Sequence, residues 1–250
     1  MSGDGLKVWI TRAEPGARAT ADRVAALGHA PVVAPLLRIE PVAGAEIDLR
    51  GVAALAFTSA NGVRAFADRE AARDLRVFAV GAGTAAAAKA AGFRQVLSAD
   101  GDVKALADRI AARGREIQGV VLHPGAAEPA GDLVGALTGA GVEARGVALY
   151  DSVAVTPDPA FLAVLPEIDI ALVHSPKAAR ALAGALRGRE AGHLRVLCLS
   201  PAVARPLARA KVREVVRAPF PIEAALLNLI GRGRPGIAPD IAKGASKRKP

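Results

Sequence analysis

The chain has 250 residues, 52% of them hydrophobic but only 3% aromatic, so it has enough length to bury a core and packs it largely through small side chains such as alanine. Its formal net charge is +9, with one cysteine, one tryptophan and one tyrosine. A lone Cys198 excludes an intramolecular disulfide or cysteine metal cluster, and no uncharged apolar run approaches the ~20 residues of a membrane span.

In chain order, "MSGDGLKVWITRAEPG" lacks the apolar core of a secretory signal, and a soluble, cytoplasmic protein with no membrane contact is expected. A strand at 7–11 leads into a helix over 17–28, and the run "VVAPLLRI" predicts one strand at 32–39. Strands at 54–59, 76–80 and 95–98 alternate with helices over 60–70 and 83–92. A helix over 102–114, a strand at 119–123 and a helix over 131–141 precede a long strand at 145–155. Strands at 170–175, 195–200 and 213–218 enclose helices over 176–188 and 202–210. Such alternation predicts α/β architecture with parallel sheets covered by helices. Residues 231–250 carry six Lys or Arg against one Asp, without apolar periodicity, and are expected to be a disordered, solubilising basic tail. The body lacks interleaved aromatic and basic residues, so no nucleic-acid partner is expected.

The two halves repeat. "RVFAVGAGTAAAAKAAGFRQVLSA" from Arg76 aligns without gaps on "RVLCLSPAVARPLARAKVREVVRA" from Arg195, an offset of 119. "ALAFTSANGVRAF" matches "IALVHSPKAARAL" at 116, and "LGHAPVVAPLLRIEPV" matches "AGVEARGVALYDSVAV" at 113. A period near 115 residues signals a duplicated domain. Two similar flavodoxin-like parallel-sheet domains are expected, one from residues 1–37 plus 156–230, the other from 40–148. The runs 32–42 and 145–155 would cross between them as a two-stranded connector, with a site in the interdomain cleft.

Gly81-Ala82-Gly83-Thr84-Ala85-Ala86 reads as G-x-G-x-x-A between a strand and a helix, with Asp100 closing the next strand. An NAD(P)-binding oxidoreductase is therefore one reading. The repeat keeps the strand–turn–helix with Ser200-Pro201-Ala202-Val203 instead, so the glycines do more than make the turn. Open N–H groups at a helix N-terminus suit any anion, carboxylates included.

Ligands of open α/β sheets collect beyond the carboxyl ends of strands. Those ends hold Thr11 and Arg12; Thr58, Ser59 and Asn61; Gly81 to Thr84, with Gly83; His123 to Gly125; Ser175, Pro176 and Lys177; and Ser200. Individually, the hydroxyl and amide residues also read as ordinary helix caps. No metal-ligand pairing, P-loop or Gly-x-Ser-x-Gly elbow is present. Tyr150, the only tyrosine, lies on the second connector run opposite the face of Val147, Leu149 and Val153, where the other copy has Leu37. Its phenol is a proton or hydrogen-bond donor at neutral pH.

"ITR", "PLLRIEP", "FTSANGV", "AVGAGTA", the "Y" of the returning connector and "HSPKA" stand in an order and spacing that resembles the uroporphyrinogen-III synthase family over about residues 6–230. The resemblance implies two α/β domains, no metal or organic cofactor, and hydroxymethylbilane as substrate. This linear tetrapyrrole with eight carboxylates is closed with inversion of ring D and loss of water. Tyr150 would donate to the departing hydroxyl. Thr11, Arg12, Thr58, Ser59, Asn61, Gly83, Thr84, Gly125, Ser175, Pro176, Lys177 and Ser200 would hold the substrate. A monomer and a transient contact with the enzyme supplying the substrate are further expectations. A non-catalytic ligand-binding paralogue is the other alternative, because His123-Pro124 stands where the family often has Arg-Gly.

Overall fold

A computed structural model describes residues 5–231; all but the first residue of the expected basic tail lies outside the described residues. In chain order the elements are β1 (Lys7–Ile10), α1 (Gly16–Ala26), β2 (Ala30–Val33), β3 (Leu37–Pro41), β4 (Val52–Phe57) and α2 (Ala60–Ala67). Then come β5 (Arg76–Ala79), α3 (Ala82–Ala90), β6 (Val96–Ser98), α4 (Val103–Ala111), β7 (Val120–Ala126), α5 (Leu133–Gly139) and β8 (Ala144–Ala154). The chain closes with α6 (Pro159–Val164), β9 (Ile170–Val173), α7 (Pro176–Ala185), β10 (Ala191–Cys198), α8 (Pro201–Ala204), β11 (Val212–Arg217) and α9 (Glu223–Leu227).

The strands form two sheets. The first is all parallel, in the order β11-β10-β9-β1-β2; the second runs β3-β8-β7-β4-β5-β6, with only β3 antiparallel to its neighbour. Alternate side chains serve opposite faces. In the first sheet Trp9, Ala171, Val173 and Val196 meet α7, while Val8, Ile10, Ile170 and Leu172 meet α1 and α9. In the second, Ala54, Ala56, Phe78 and Val121 meet α4 and α5, while Leu55, Phe57, Val77 and Leu122 meet α2 and α3. Burial of both faces is why these strands read as continuous apolar runs.

The duplication is assembled by exchange. Taking β1, β2, β9, β10 and β11 as strands one to five, the first sheet has the order 2-1-3-4-5. Taking β7, β8, β4, β5 and β6 the same way, the parallel part of the second sheet has that order too. Each copy thus gives its opening β–α–β pair to one sheet and its last three strands to the other.

The expected single strand at 32–39 is a misreading: it is two strands in different sheets. Pro35 has no N–H for a ladder, and the chain leaves β2 at Val33 to enter β3 at Leu37. Trp9 Nε1 donates to Ala34 O at 2.7 Å and its ring packs 4.5 Å from that of Phe161, which pins the crossing. β3 pairs antiparallel with the end of β8, Leu37 opposite Ala154 and Pro41 opposite Tyr150, making the two-stranded connector. Helices α6 and α9 were not expected from the sequence.

Candidate active site

At the carboxyl ends of the second sheet, Ser59 caps α2, its Oγ accepting from Asn61 N at 3.1 Å. Thr58 and Asn61 flank it, half-buried. The β5 tip is held beside the β4 tip by Val80 N donating to Phe57 O at 3.0 Å. There Gly81 caps α3 without a side chain, and added Cβ atoms at Gly81 and Gly83 would meet nothing within 4 Å. Neither glycine is demanded by packing, and both leave the N-terminus of a nine-residue helix uncovered. Thr84, in the same first turn, is buried.

Gly125 has a different cause. A Cβ there would lie 2.8 Å from His123 Nε2, so packing by itself calls for glycine. His123 is 6% exposed, its Nδ1 2.8 Å from Ala56 O, and burial lowers its pKa against that hydrogen bond. The neutral ring therefore carries its proton on Nδ1, leaving a buried Nε2 without a partner.

The β7–β4 boundary, where strand order reverses, is the usual binding crevice of such a sheet. His123 fills it. The first sheet repeats the device: between β1 and β9, Thr11 Oγ1 donates to Leu172 O at 2.7 Å, and Leu172 matches Ala56 at the offset of 116. Thr11 is fully buried, its hydroxyl engaged by that bond. The Gly81 turn is one strand removed from the reversal point, which disfavours a dinucleotide site. Asp100 instead accepts from Ser98 Oγ at 2.6 Å.

On the first sheet, Arg12 is engaged within the protein. Its Nη1 lies 3.5 Å from Glu223 Oε1, and the Glu223 carboxylate also takes Thr20 and Arg23. His174 Nε2 stands 3.6 Å from Oε1, beyond hydrogen-bond range, and burial chiefly lowers its pKa, so it is neutral at pH 7. Arg12 is pulled below its ordinary value by burial, against the pull of Glu223. It is not the free carboxylate grip expected. Ser175 and Ser200 are helix caps, their Oγ atoms accepting from Ala178 N at 3.1 Å and Val203 N at 3.4 Å, and Pro176 opens α7. Lys177 reaches toward the second sheet, where Asp151 and Glu128 hold it at 3.1 and 3.2 Å. The acids Glu223, Asp151 and Glu128 were missed by sequence reasoning.

Tyr150 joins these groups. It lies on β8 beside the β7 tip, Ala127 N donating to its carbonyl at 2.8 Å. The side chain is 5% exposed, more covered than a connector residue suggests, yet it belongs to none of the four hydrophobic clusters. Burial raises its pKa, and the neighbouring Ser59 hydroxyl opposes the rise. The phenol is therefore a proton carrier beside the β4–α2 turn, one residue from the acid that holds Lys177. Cys198, in contrast, is a core thiol pushed to about 12 by burial, and no cluster of three metal-ligating side chains occurs among the described residues. A concavity of about 470 Å³ lies elsewhere, beside the connector between Val32–Pro35 and Phe161. No helix of the described residues is long and apolar enough to cross a membrane.

The family model for uroporphyrinogen-III synthase HemD matches residues 18–228. No curated protein matches the sequence. The fold is similar to uroporphyrinogen-III synthetase from Helicobacter pylori, with a TM-score of 0.63 at 16% identity, covering 90% of this chain and 97% of that one. It is also similar to a mutant uroporphyrinogen III synthase from Thermus thermophilus, with a TM-score of 0.50 at 19% identity, covering 91% and 98%. With a family match spanning the duplicated scaffold and whole-chain likeness in fold, the chain belongs to the uroporphyrinogen-III synthase family.

Proposed function

We propose that the chain closes hydroxymethylbilane to uroporphyrinogen III, releasing water, with Tyr150 as donor to the departing hydroxyl. The observation that carries the assignment of roles is Tyr150 beside Ser59, a covered phenol at the tips that also present the uncovered start of α3. The substrate lies in a cleft between two domains, residues 1–37 plus 156–230 and residues 40–148. Its carboxylates are held by the first-turn N–H groups at Gly83 and Thr84 and by Thr58, Ser59 and Asn61.

The chemistry suits such a neutral site. As the terminal hydroxyl leaves with a proton it becomes water, and the electron-rich pyrroles stabilise the azafulvene left behind. Tyr150 supplies that proton as the carbon–oxygen bond breaks, and the proton shed from the ring carbon at reclosure returns to the phenolate, the form that burial disfavours. Ring D then attacks through its substituted carbon, the spiro intermediate fragments, and reclosure sets D reversed. Attack through the unsubstituted carbon gives the other isomer, so the protein's main task is orientation.

The test is to add freshly made hydroxymethylbilane and resolve the oxidised products. Isomer III is expected. Isomer I alone, at the rate seen without protein, would overturn the assignment in favour of a non-catalytic binding protein.

A further inference from the structure

We infer that Lys177, Asp151 and Glu128 form a charge latch that holds the two domains together, and that carboxylates of the substrate open it by competing for the lysine. The inference rests on the proposed function for the identity of the competitor. Lys177 is in the first turn of α7, whose Ala178, Ala179 and Leu182 are fixed in the core of the first sheet. Its ammonium lies 3.2 Å from Glu128, which follows β7 of the second sheet, and 3.1 Å from Asp151, the residue after Tyr150. Asp151 is held in turn by Ser152 N, which donates to the same oxygen at 2.7 Å. The three charges therefore join α7 to β8 and to the segment after β7.

Two acids on one ammonium leave a local surplus of negative charge. A substrate carboxylate that takes Lys177 replaces like with like, so the exchange is nearly balanced, and it releases an acid that repels the ligand. Side-chain exposures of 36% for Asp151 and 71% for Glu128 keep the pairs open to solvent and salt. Such pairs are weak enough to break in each turnover. Burial draws the Lys177 ammonium down, but the two acids outweigh it and hold it above its ordinary value, so the latch stays charged at neutral pH.

The test is a distance measurement on the full chain without substrate, using spin labels on cysteines introduced at the exposed positions Lys104 and Arg209. Both Lys177→Met and the double variant Asp151→Asn/Glu128→Gln are expected to move the distribution to longer, broader distances. Salt at about 1 M, where the screening length is about 3 Å, should do the same to the parent and add nothing to Lys177→Met. Distributions that superimpose on the parent in both variants would overturn the latch. With hydroxymethylbilane, Lys177→Met should raise KM about tenfold, the loss of one ionic grip, while the double variant lowers it. Movement of KM in the same direction in both would overturn the competition. The distance readout needs no turnover, so its failure is separable from failure of the proposed activity.

Discussion

Replacing Glu223 by Gln should loosen the last helix from the first sheet. The carboxylate sits at the start of α9, its side chain 19% exposed, engaged by Thr20, Arg23 and Arg12. Burial raises its pKa, but the hydrogen bonds and cationic neighbours overcome this and bring it from 4.5 to about 2. That fall corresponds to about 3 kcal/mol favouring the charged form in the folded chain. His174 is neutral at pH 7 and lends no charge to the cluster there, so about 2 kcal/mol is the expected loss at neutral pH. For a chain of this size the melting temperature should fall by roughly 4–8 °C. The pH dependence has a defined sign. The unfolded chain takes up the proton first, so this stabilisation is complete above about pH 4.5 and disappears as pH falls toward 2. Thermal unfolding followed by circular dichroism from pH 2 to 7 should show that contribution in the parent and its absence in Glu223→Gln. A variant that melts with the parent at pH 7 and keeps the same acid slope would refute the account of the Glu223 cluster.

Two glycines should separate packing from function. Gly125→Ala pushes a methyl to 2.8 Å from the buried His123 ring and should cost about 1–3 kcal/mol; Gly125→Ala/His123→Ala should recover part of it, measured as a coupling in a double-mutant cycle by urea unfolding. Gly83→Ala meets open space inside a helix and should leave stability unchanged or raise it by up to about 1 kcal/mol, while raising KM because the methyl covers the α3 N-terminus. Trp9, fully buried against Phe161, should emit as a buried indole and shift to the red when the protein unfolds, and its signal should be insensitive to NADH.

Much of the scaffold was legible because β4 and β9 are buried on both faces and so appear as unbroken apolar runs, "ALAF" and "IALV". The connector was legible from the length of the runs around Leu37 and Tyr150. Helices α6 and α9, six and five residues long, span too few turns to show a period. The break at Ala34–Leu36 was hidden because its apolar residues continue the pattern on both sides, although Pro35 marks it. The local geometry at Ser59 and Gly83 was legible, a hydroxyl cap and an open turn that neighbouring sequence alone dictates. That Arg12 and Lys177 are already paired was hidden because their partners, Glu223 and Asp151, lie 211 and 26 residues away. No local pattern reveals that a cation is already paired. Thr11 and His123 were obscure for a related reason: each fills a gap that exists only once β1 meets β9 and β7 meets β4.

In the proposed mechanism one covered phenol helps the hydroxyl leave while neutral donors hold the chain bent. The decisive measurement is the rate and isomer ratio of Tyr150→Phe with fresh hydroxymethylbilane, resolved by chromatography. A fall in kcat of about a hundredfold is expected, equivalent to about 2.7 kcal/mol, with a melting temperature close to that of the parent. Full rate and undiminished isomer III in that variant would contradict it.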